Sequence, residues 1–389
     1  GALNLALEHT ARDADVIAVI DADYVVHPDW LKDLAPAFED AAVGLVQAPQ
    51  DHRDGGGSRL KTIMNSEYAG FFDIGMIQRN EDDAIIQHGT MCLVRRSALA
   101  AVGGWSGDTI VEDTELGLRL YEAGYKALYT NRRYGWGVLP DTFQAFKTQR
   151  ERWAYGAIQI IRKHWRHMLP GARTLRPEQK RQFVAGWAFW LSDTLGAAAS
   201  ILNLLWVPAI LFIGVLIPTV ALTLPIVTAF VVNLAHCALL YRARVKLPMA
   251  RIAGAALAAM SLQLTVAGAV LNGLVRDNLP FKRTDKGGNA KRQASDNPVR
   301  RESALGLALA ASAAALAFTN EYRVTEIDVF AFALLIQSLP FLAATLMAGI
   351  EAWEARALAR GQSSEPAPLA PVSPAAPAPK APVNPLAAE

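Results

Sequence analysis

The chain has 389 residues, enough for two domains and a tail. It is 52% hydrophobic and 19% charged, more apolar than soluble averages, and the excess lies almost entirely after Phe183. A net charge of +2 gives no support to a nucleic-acid partner, and two cysteines, Cys92 and Cys237, offer no disulfide framework.

The chain opens in a helix already under way, with no initiator Met and no signal peptide, and is expected to be a fragment. Residues 15–20 form a short continuous apolar run, the pattern of a strand buried on both faces of a parallel sheet. It ends at Asp21-Ala22-Asp23, where ligands bind in open α/β sheets, and strand alternation places both carboxylates on one side. Two hard oxygen donors suit Mg²⁺ or Mn²⁺; the same pair also reads as an acidic strand–loop junction. A helix is expected from His27, with Pro28 in its first turn, and a strand over 43–47. Residues 51–58 form a polar loop whose three glycines lack a phosphate-cradling pattern.

Residues 65–80 read as a helix whose aromatics, Tyr68, Phe71 and Phe72, belong to the core. His88 reads as a hydrogen-bonding loop residue, having no metal-ligand partner at useful spacing. Ser97 is placed to cap a short helix over 98–102, ahead of Gly103 and Gly104; Trp105 either walls a pocket or packs. Residues 110–120 read as the mouth of a helix, with Leu116 and Leu120 on one face and Glu115 paired to Arg119. Asp113 sits beside the orphan N–H groups of that helix start and, taken alone, reads as a cap.

After an edge strand at 126–129, residues 143–163 have the pattern of an amphipathic helix. Gln149, Arg152 and Trp153 lie along one side of it at i, i+3 and i+4. A membrane-surface helix with snorkelling Arg and anchoring Trp would carry the same residues, and Arg162, Lys163 and Trp165 add to that reading. Residues 192–216 and 219–241 are long enough to span, with Pro208, Pro218 and Pro225 marking kinks or span ends. Arg242, Arg244, Lys246 and Arg251 put the next loop on the cytoplasmic side. If 252–275 spanned, the basic stretch 276–301 would lie outside, so an interfacial or re-entrant helix is expected there. Residues 303–318 and 329–350 give two further spans, and from about Gly361 the chain is a Pro/Ala/Ser tail.

The order Asp21-x-Asp23, Glu112-Asp113, Gln149-x-x-Arg152-Trp153 and then apolar spans resembles the processive family-2 glycosyltransferases. These are the membrane-embedded synthases of cellulose, hyaluronan, chitin and bacterial β-glucans. The resemblance implies an α/β, Rossmann-like nucleotide-sugar domain, incomplete at its N-terminus, followed by interfacial helices and an α-helical transmembrane bundle. The expected divisions are 1–142 for the catalytic domain, 143–183 for interfacial helices, 184–350 for the membrane helices and 351–389 for a disordered tail. Lacking the first strand, the fragment is expected to be inactive alone.

By the same resemblance Asp113 is the general base, and Asp21 and Asp23 hold the donor diphosphate through a divalent cation. Gly89, Thr90, Glu112, Gln149, Arg152 and Trp153 face the acceptor; Gly89-Thr90 and Arg95-Arg96 match the family's acceptor segment. Phe281, Thr284, Lys286 and Gly287 match the gating loop of bacterial cellulose synthase, expected within 276–301, with Arg283 replacing a valine. A basic loop against anionic lipid is the other reading of that stretch. The implied reaction is inverting transfer from a UDP-sugar, with UDP-glucose favoured, to a growing β-glycan extruded through the membrane. The alternatives are a hyaluronan- or chitin-like synthase using UDP-N-acetylglucosamine, a non-processive transferase with a lipid acceptor, and a non-catalytic transport or scaffold protein. Against the last, every matched carboxylate is present. The implied setting is multi-pass in a bacterial inner membrane, with a cytoplasmic catalytic domain, and with export proteins as further partners. The stretch around residues 276–288 looks closest to bacterial synthases of the β-1,3 or mixed β-1,3/1,6 type.

Overall fold

The computed structural model describes residues 1–215, 219–276, 284–287 and 297–361. Its first half runs α1 (Ala2–Glu8), β1 (Val16–Val19), β2 (Val25–Val26), α2 (Trp30–Leu34), β3 (Val43–Gln47), α3 (Arg59–Gly70) and α4 (Met76–Glu81). It continues through β4 (Cys92–Arg95), α5 (Arg96–Ala101), α6 (Glu112–Glu122), β5 (Lys126–Tyr129), β6 (Gly135–Trp136) and α7 (Phe143–His164). Four strands form one sheet in the order β1-β4-β3-β5, and β2 pairs with β6 in a separate ribbon.

Side-chain alternation builds a core on each face of this sheet. Ile17, Leu45 and Val94 point to the larger cluster beneath α3, α6 and α7; Val46, Leu93 and Met91 join Trp30 and Phe38 on the other side. Central β3 is buried at every position, which explains why it is apolar throughout. The sheet is mixed: β4 runs antiparallel to β1 and β3, and only β3 and β5 are parallel. The expectation of a doubly buried parallel strand at 15–20 is therefore corrected. β1 stands at a sheet edge with one antiparallel neighbour, leaving Ile20 42% exposed. The apolar run reported hydrophobicity, which cannot distinguish an edge strand under helices from a central one.

The predicted cap at Ser97 also fails, because α5 begins two residues earlier than expected, at Arg96, with Arg95 at the cap and no side-chain bond there. The long α7 starts as its sequence suggests: Thr142 Oγ1 accepts from Ala145 N–H at 3.1 Å. Phe143 N–H, another orphan donor, is taken by Glu351 Oε2 at 3.0 Å, a carboxylate from the far end of the chain.

The second half comprises α8 (Pro177–Ile213), α9 (Thr219–Leu240), α10 (Met249–Met260), α11 (Gln263–Val275), α12 (Arg300–Thr319) and α13 (Thr325–Ala359). Among the described residues, five stretches are long and apolar enough to cross a membrane by length and composition. One of them, Met249–Val275, is broken at Ser261–Leu262; α10 packs on α3, and α11 on α7 and α8. The boundary expected at 183 falls inside α8, which rises continuously from polar Pro177 into the apolar span. Pro208 and Pro225 lie within helices, whereas Pro218 is outside the described residues. Asn320 closes the α12–α13 hairpin, donating to Val324 O at 3.0 Å and Asp328 Oδ1 at 2.8 Å. Residues 351–359, expected to open the tail, are helical. Helix α13 continues to Ala359, where Glu354 accepts from Arg59 N–H and Arg59 stacks 4.6 Å from the Trp353 ring.

Candidate active site

Asp21, Ala22 and Asp23 leave the end of β1 in a tight turn, closed by Tyr24 N–H donating to Asp21 O at 3.0 Å. The turn, rather than strand alternation, aims both carboxylates into one cavity. Thr90 holds this turn from behind: its Oγ1 accepts from Asp21 N–H at 2.9 Å, and its carbonyl accepts from Gln47 Nε2 at 2.8 Å. Thr90 is completely buried, so its side chain braces the carboxylate turn and does not line the cavity.

Asp23 Oδ2 accepts from Val138 N–H at 3.1 Å and lies 3.3 Å from Lys286 Nζ. Its carbonyl accepts from Arg53 Nη1 at 2.5 Å, and Arg53 also bonds Trp136 O at 2.7 Å. Desolvation raises the Asp21 carboxyl above its ordinary value; Lys286 opposes this and neighbouring Asp23 adds to it. Asp21, whose ionisation burial makes costlier, and Asp23 beside it offer two carboxylates to one cavity, and such a pair of oxygen donors fits a hard divalent cation.

Asp113 lies in the first turn of α6, its Oδ1 accepting from Thr114 N–H at 2.7 Å. Thr114 Oγ1 in turn donates to Gln87 O at 3.0 Å, clamping the helix mouth to the 84–91 segment. Gly89 adopts φ +67°, and a Cβ there would lie 2.6 Å from Asp113 Oδ2, so only glycine permits this approach. Burial pushes the Asp113 carboxyl up to about 7, with Glu112 adding and the Thr114 N–H and Arg152 opposing. Arg152 carries the reciprocal mark: burial lowers its guanidinium, while Asp113, Glu112 and Asp21 pull it back up.

Arg152 and Trp153 line the cavity from α7, one turn after Gln149. Gln149 is itself buried, with Oε1 accepting from the Tyr68 hydroxyl, and Tyr68 meets the Trp153 ring edge-on at 6.1 Å. Tyr68, Phe71 and Phe72, read as core, all reach the cavity wall as well. His88 departs from its reading. Both ring nitrogens are without a hydrogen-bond partner among the described residues, and the ring packs against Phe71 and Phe72. Burial pushes its imidazole down to about 3, leaving it neutral. Trp105 packs in the core, its backbone bonded to Asn4.

From the expected gating stretch, residues 284–287 are described and Phe281 lies outside the described residues. Lys286 forms an antiparallel bridge with Pro140, and Asp285 O accepts from Asp141 N–H at 3.2 Å. These bonds bring the Lys286 ammonium to Asp23 across 263 residues of sequence. Sequence reasoning passed over Arg53 and Glu67. Arg53 braces Asp23, and Glu67 pairs with Arg150, whose guanidinium stacks 4.7 Å from the Trp153 ring. Of the two, Arg53 alone carried a usable signal, a cation in a Gly-rich polar loop.

The cavity has a volume of about 1830 Å³. It begins at Asp21, Asp23 and Asp113, passes Trp153, and continues to Trp190, Phe230 and Tyr241 of the apolar half. The family model for glycosyl transferase family group 2 matches residues 16–245. Over 169 residues the chain is 31% identical to a UDP-forming cellulose synthase of Dictyostelium discoideum, covering 41% of this chain and 16% of that protein. Over 166 residues it is 30% identical to glucomannan 4-beta-mannosyltransferase 7 of Arabidopsis thaliana, covering 42% and 30%. The chain thus spans less than a third of the length of either relative. A solved mannosyltransferase from Pyrobaculum calidifontis is also similar, at 18% identity and a TM-score of 0.45, over 70% of this chain and 66% of that one. With its matched region running from β1 through the carboxylate cavity to the turn that follows α9, the chain belongs to glycosyl transferase family group 2.

Proposed function

We propose that this chain is the catalytic part of an inverting, membrane-embedded β-glycan synthase using a UDP-sugar, with UDP-glucose as donor. The observation that carries the proposal is the single cavity joining three carboxylates to the walls of apolar helices. A transferase with a small soluble acceptor has no use for such a continuation, whereas a growing chain needs somewhere to go. The cellulose synthase relative is named as UDP-forming, which supports the nucleotide.

In this reading an acceptor hydroxyl lies against Asp113, whose carboxylate takes its proton as the oxygen attacks the anomeric carbon of the donor. The bond from that carbon to the diphosphate oxygen breaks, UDP leaves with the electron pair, and attack from the opposite face inverts the centre. Asp21 and Asp23 would hold a divalent cation, Mg²⁺ or Mn²⁺, which supplies charge neutralisation at the departing diphosphate. Lys286 and Arg152 place two further cations at the same cavity. Trp153 offers a flat apolar face to the acceptor sugar, and Gly89 lets the backbone approach both sugar and base.

The test uses full-length protein in proteoliposomes, given UDP-glucose with Mg²⁺ or Mn²⁺, with UDP release followed and the product digested by linkage-specific glucanases. Metal-dependent release of UDP with a digestible β-glucan supports the reading. Turnover only with UDP-N-acetylglucosamine or a mannosyl donor would replace the sugar, and silence with every donor would overturn the catalytic proposal.

A further inference from the structure

Outside the cavity, one cluster has the composition of a metal site. Glu122 is the last residue of α6, His164 the last of α7, and His167 lies in the short 3-10 turn that follows. Their ligand atoms all lie within 4.8 Å of one another. Glu122 Oε1 is 2.9 Å from His164 Nδ1 and 2.5 Å from His167 Nδ1, so two imidazoles turn the same ring nitrogen toward one carboxylate oxygen. We infer that Glu122, His164 and His167 form a binding site for a transition-metal ion of the zinc type, separate from the divalent site at Asp21 and Asp23.

Four features beyond proximity support this. Two imidazoles and a carboxylate are the donor set that zinc takes where a fourth position is left to water. His167, with its side chain 40% exposed, leaves the side of the cluster open to such a water and to ion entry. Metal-bound histidines generally hand their second ring nitrogen to a carboxylate, which fixes the ring. His164 does so here: its Nε2 lies 3.3 Å from Glu115 Oε1, and Glu115 is itself locked by Arg119 at 2.6 Å and Lys163 at 2.7 Å. Lastly, α6 and α7 both end at this point, so the negative ends of two helix dipoles converge on a place suited to a cation. The ion would clip together the C-terminal ends of the helix whose first turn holds Asp113 and the helix that carries Arg152 and Trp153.

The test is direct uptake. Purified full-length protein is stripped with a chelator, dialysed, and titrated with Zn²⁺ in excess Mg²⁺, with bound zinc measured by elemental analysis. Co²⁺ serves as a second probe, read by its visible absorption. One equivalent of zinc per chain and a four-coordinate cobalt spectrum are expected. His167→Ala and Glu122→Gln each remove a ligand, and should each weaken uptake by more than about 100-fold, the upper end of what losing an outer-shell partner costs. Asp23→Asn should keep it, separating this site from the catalytic cation. Zinc should raise the unfolding temperature of wild type but not of His167→Ala, whose exposed side chain contributes little packing. Failure of the wild type to bind an equivalent, or unchanged uptake by His167→Ala, would overturn the assignment and leave a carboxylate shared by two histidines.

Discussion

At the scale of single residues, the site turns on how Asp113 is held. Its carboxyl is pushed up to about 7 mainly by burial, so the neutral form is favoured in the folded state. The base role proposed for Asp113 requires the ionised form, so kcat/KM should rise with pH through a limb near 7 and flatten above it. The same shift works against folding: ionising this group costs stability as pH rises from the ordinary carboxylate range through about 7. Asp113→Asn should lose about 100-fold to 10,000-fold in transfer rate, abolish the limb, and unfold no more easily than wild type at neutral pH. A pH–rate profile beside a thermal melt reads all three, and an unaltered limb in the variant would assign the titration elsewhere.

Gly89 gives a second prediction at this scale. Alanine there meets both a left-handed φ of +67° and an Asp113 oxygen at 2.6 Å. Backbone strain costs about 1–2 kcal/mol, and displacement of the base by about an ångström costs about 100-fold in rate. Gly89→Ala should therefore lose much more activity than its melting temperature accounts for; equal losses would mean a purely structural glycine. Asp21, Asp23, Asp113, Arg152 and Trp153 all line the cavity, and that they would gather at one place was legible from the order of their motifs. The roles of Thr90, Arg53 and Gly89 were not. Each depends on a partner tens of residues distant, which local pattern does not encode.

Among the elements, α7 joins the catalytic half to the membrane half through buried charge. Lys147 Nζ pairs with Glu302 of α12 and donates to Pro298 O at 2.7 Å, with side chains only 10% and 6% exposed. Removing one partner strands the other, so Lys147→Met should cost about 3–5 kcal/mol by leaving Glu302 unpaired. The double variant Lys147→Met/Glu302→Leu should recover most of that loss. Chemical or thermal unfolding in detergent measures both, and a single-variant cost below about 1 kcal/mol would show the pair to be effectively solvated. Helix α7 itself was legible from its 3.6-residue periodicity, though its Thr142 cap was seen only in the structure. Its link to α12 was not, since Lys147 in isolation looks like any exposed cation. The edge position of β1 escaped for the converse reason: the apolar run is real, but sheet order is decided by long-range pairing.

For the whole molecule, chain order alone conveyed a catalytic half followed by apolar helices, because composition changes sharply after Phe183. The continuity of the cavity across that boundary is a property of packing, and it yields the most discriminating prediction. Ala256 on α10 lines the cavity well beyond Trp153 in sequence, among walls that include Trp190 and Tyr241. Ala256→Trp adds a bulky ring to the conduit while leaving Asp21, Asp23 and Asp113 unaltered. If elongation runs through this passage, UDP release with a short acceptor should persist while product length falls sharply, as read by gel filtration of the glycan. Ala256→Leu should shorten the product less, giving a graded series in side-chain volume. Products of wild-type length from Ala256→Trp would place the growing chain outside this cavity, and equal loss of UDP release and length would point to a misfolded variant, which its melting temperature would register.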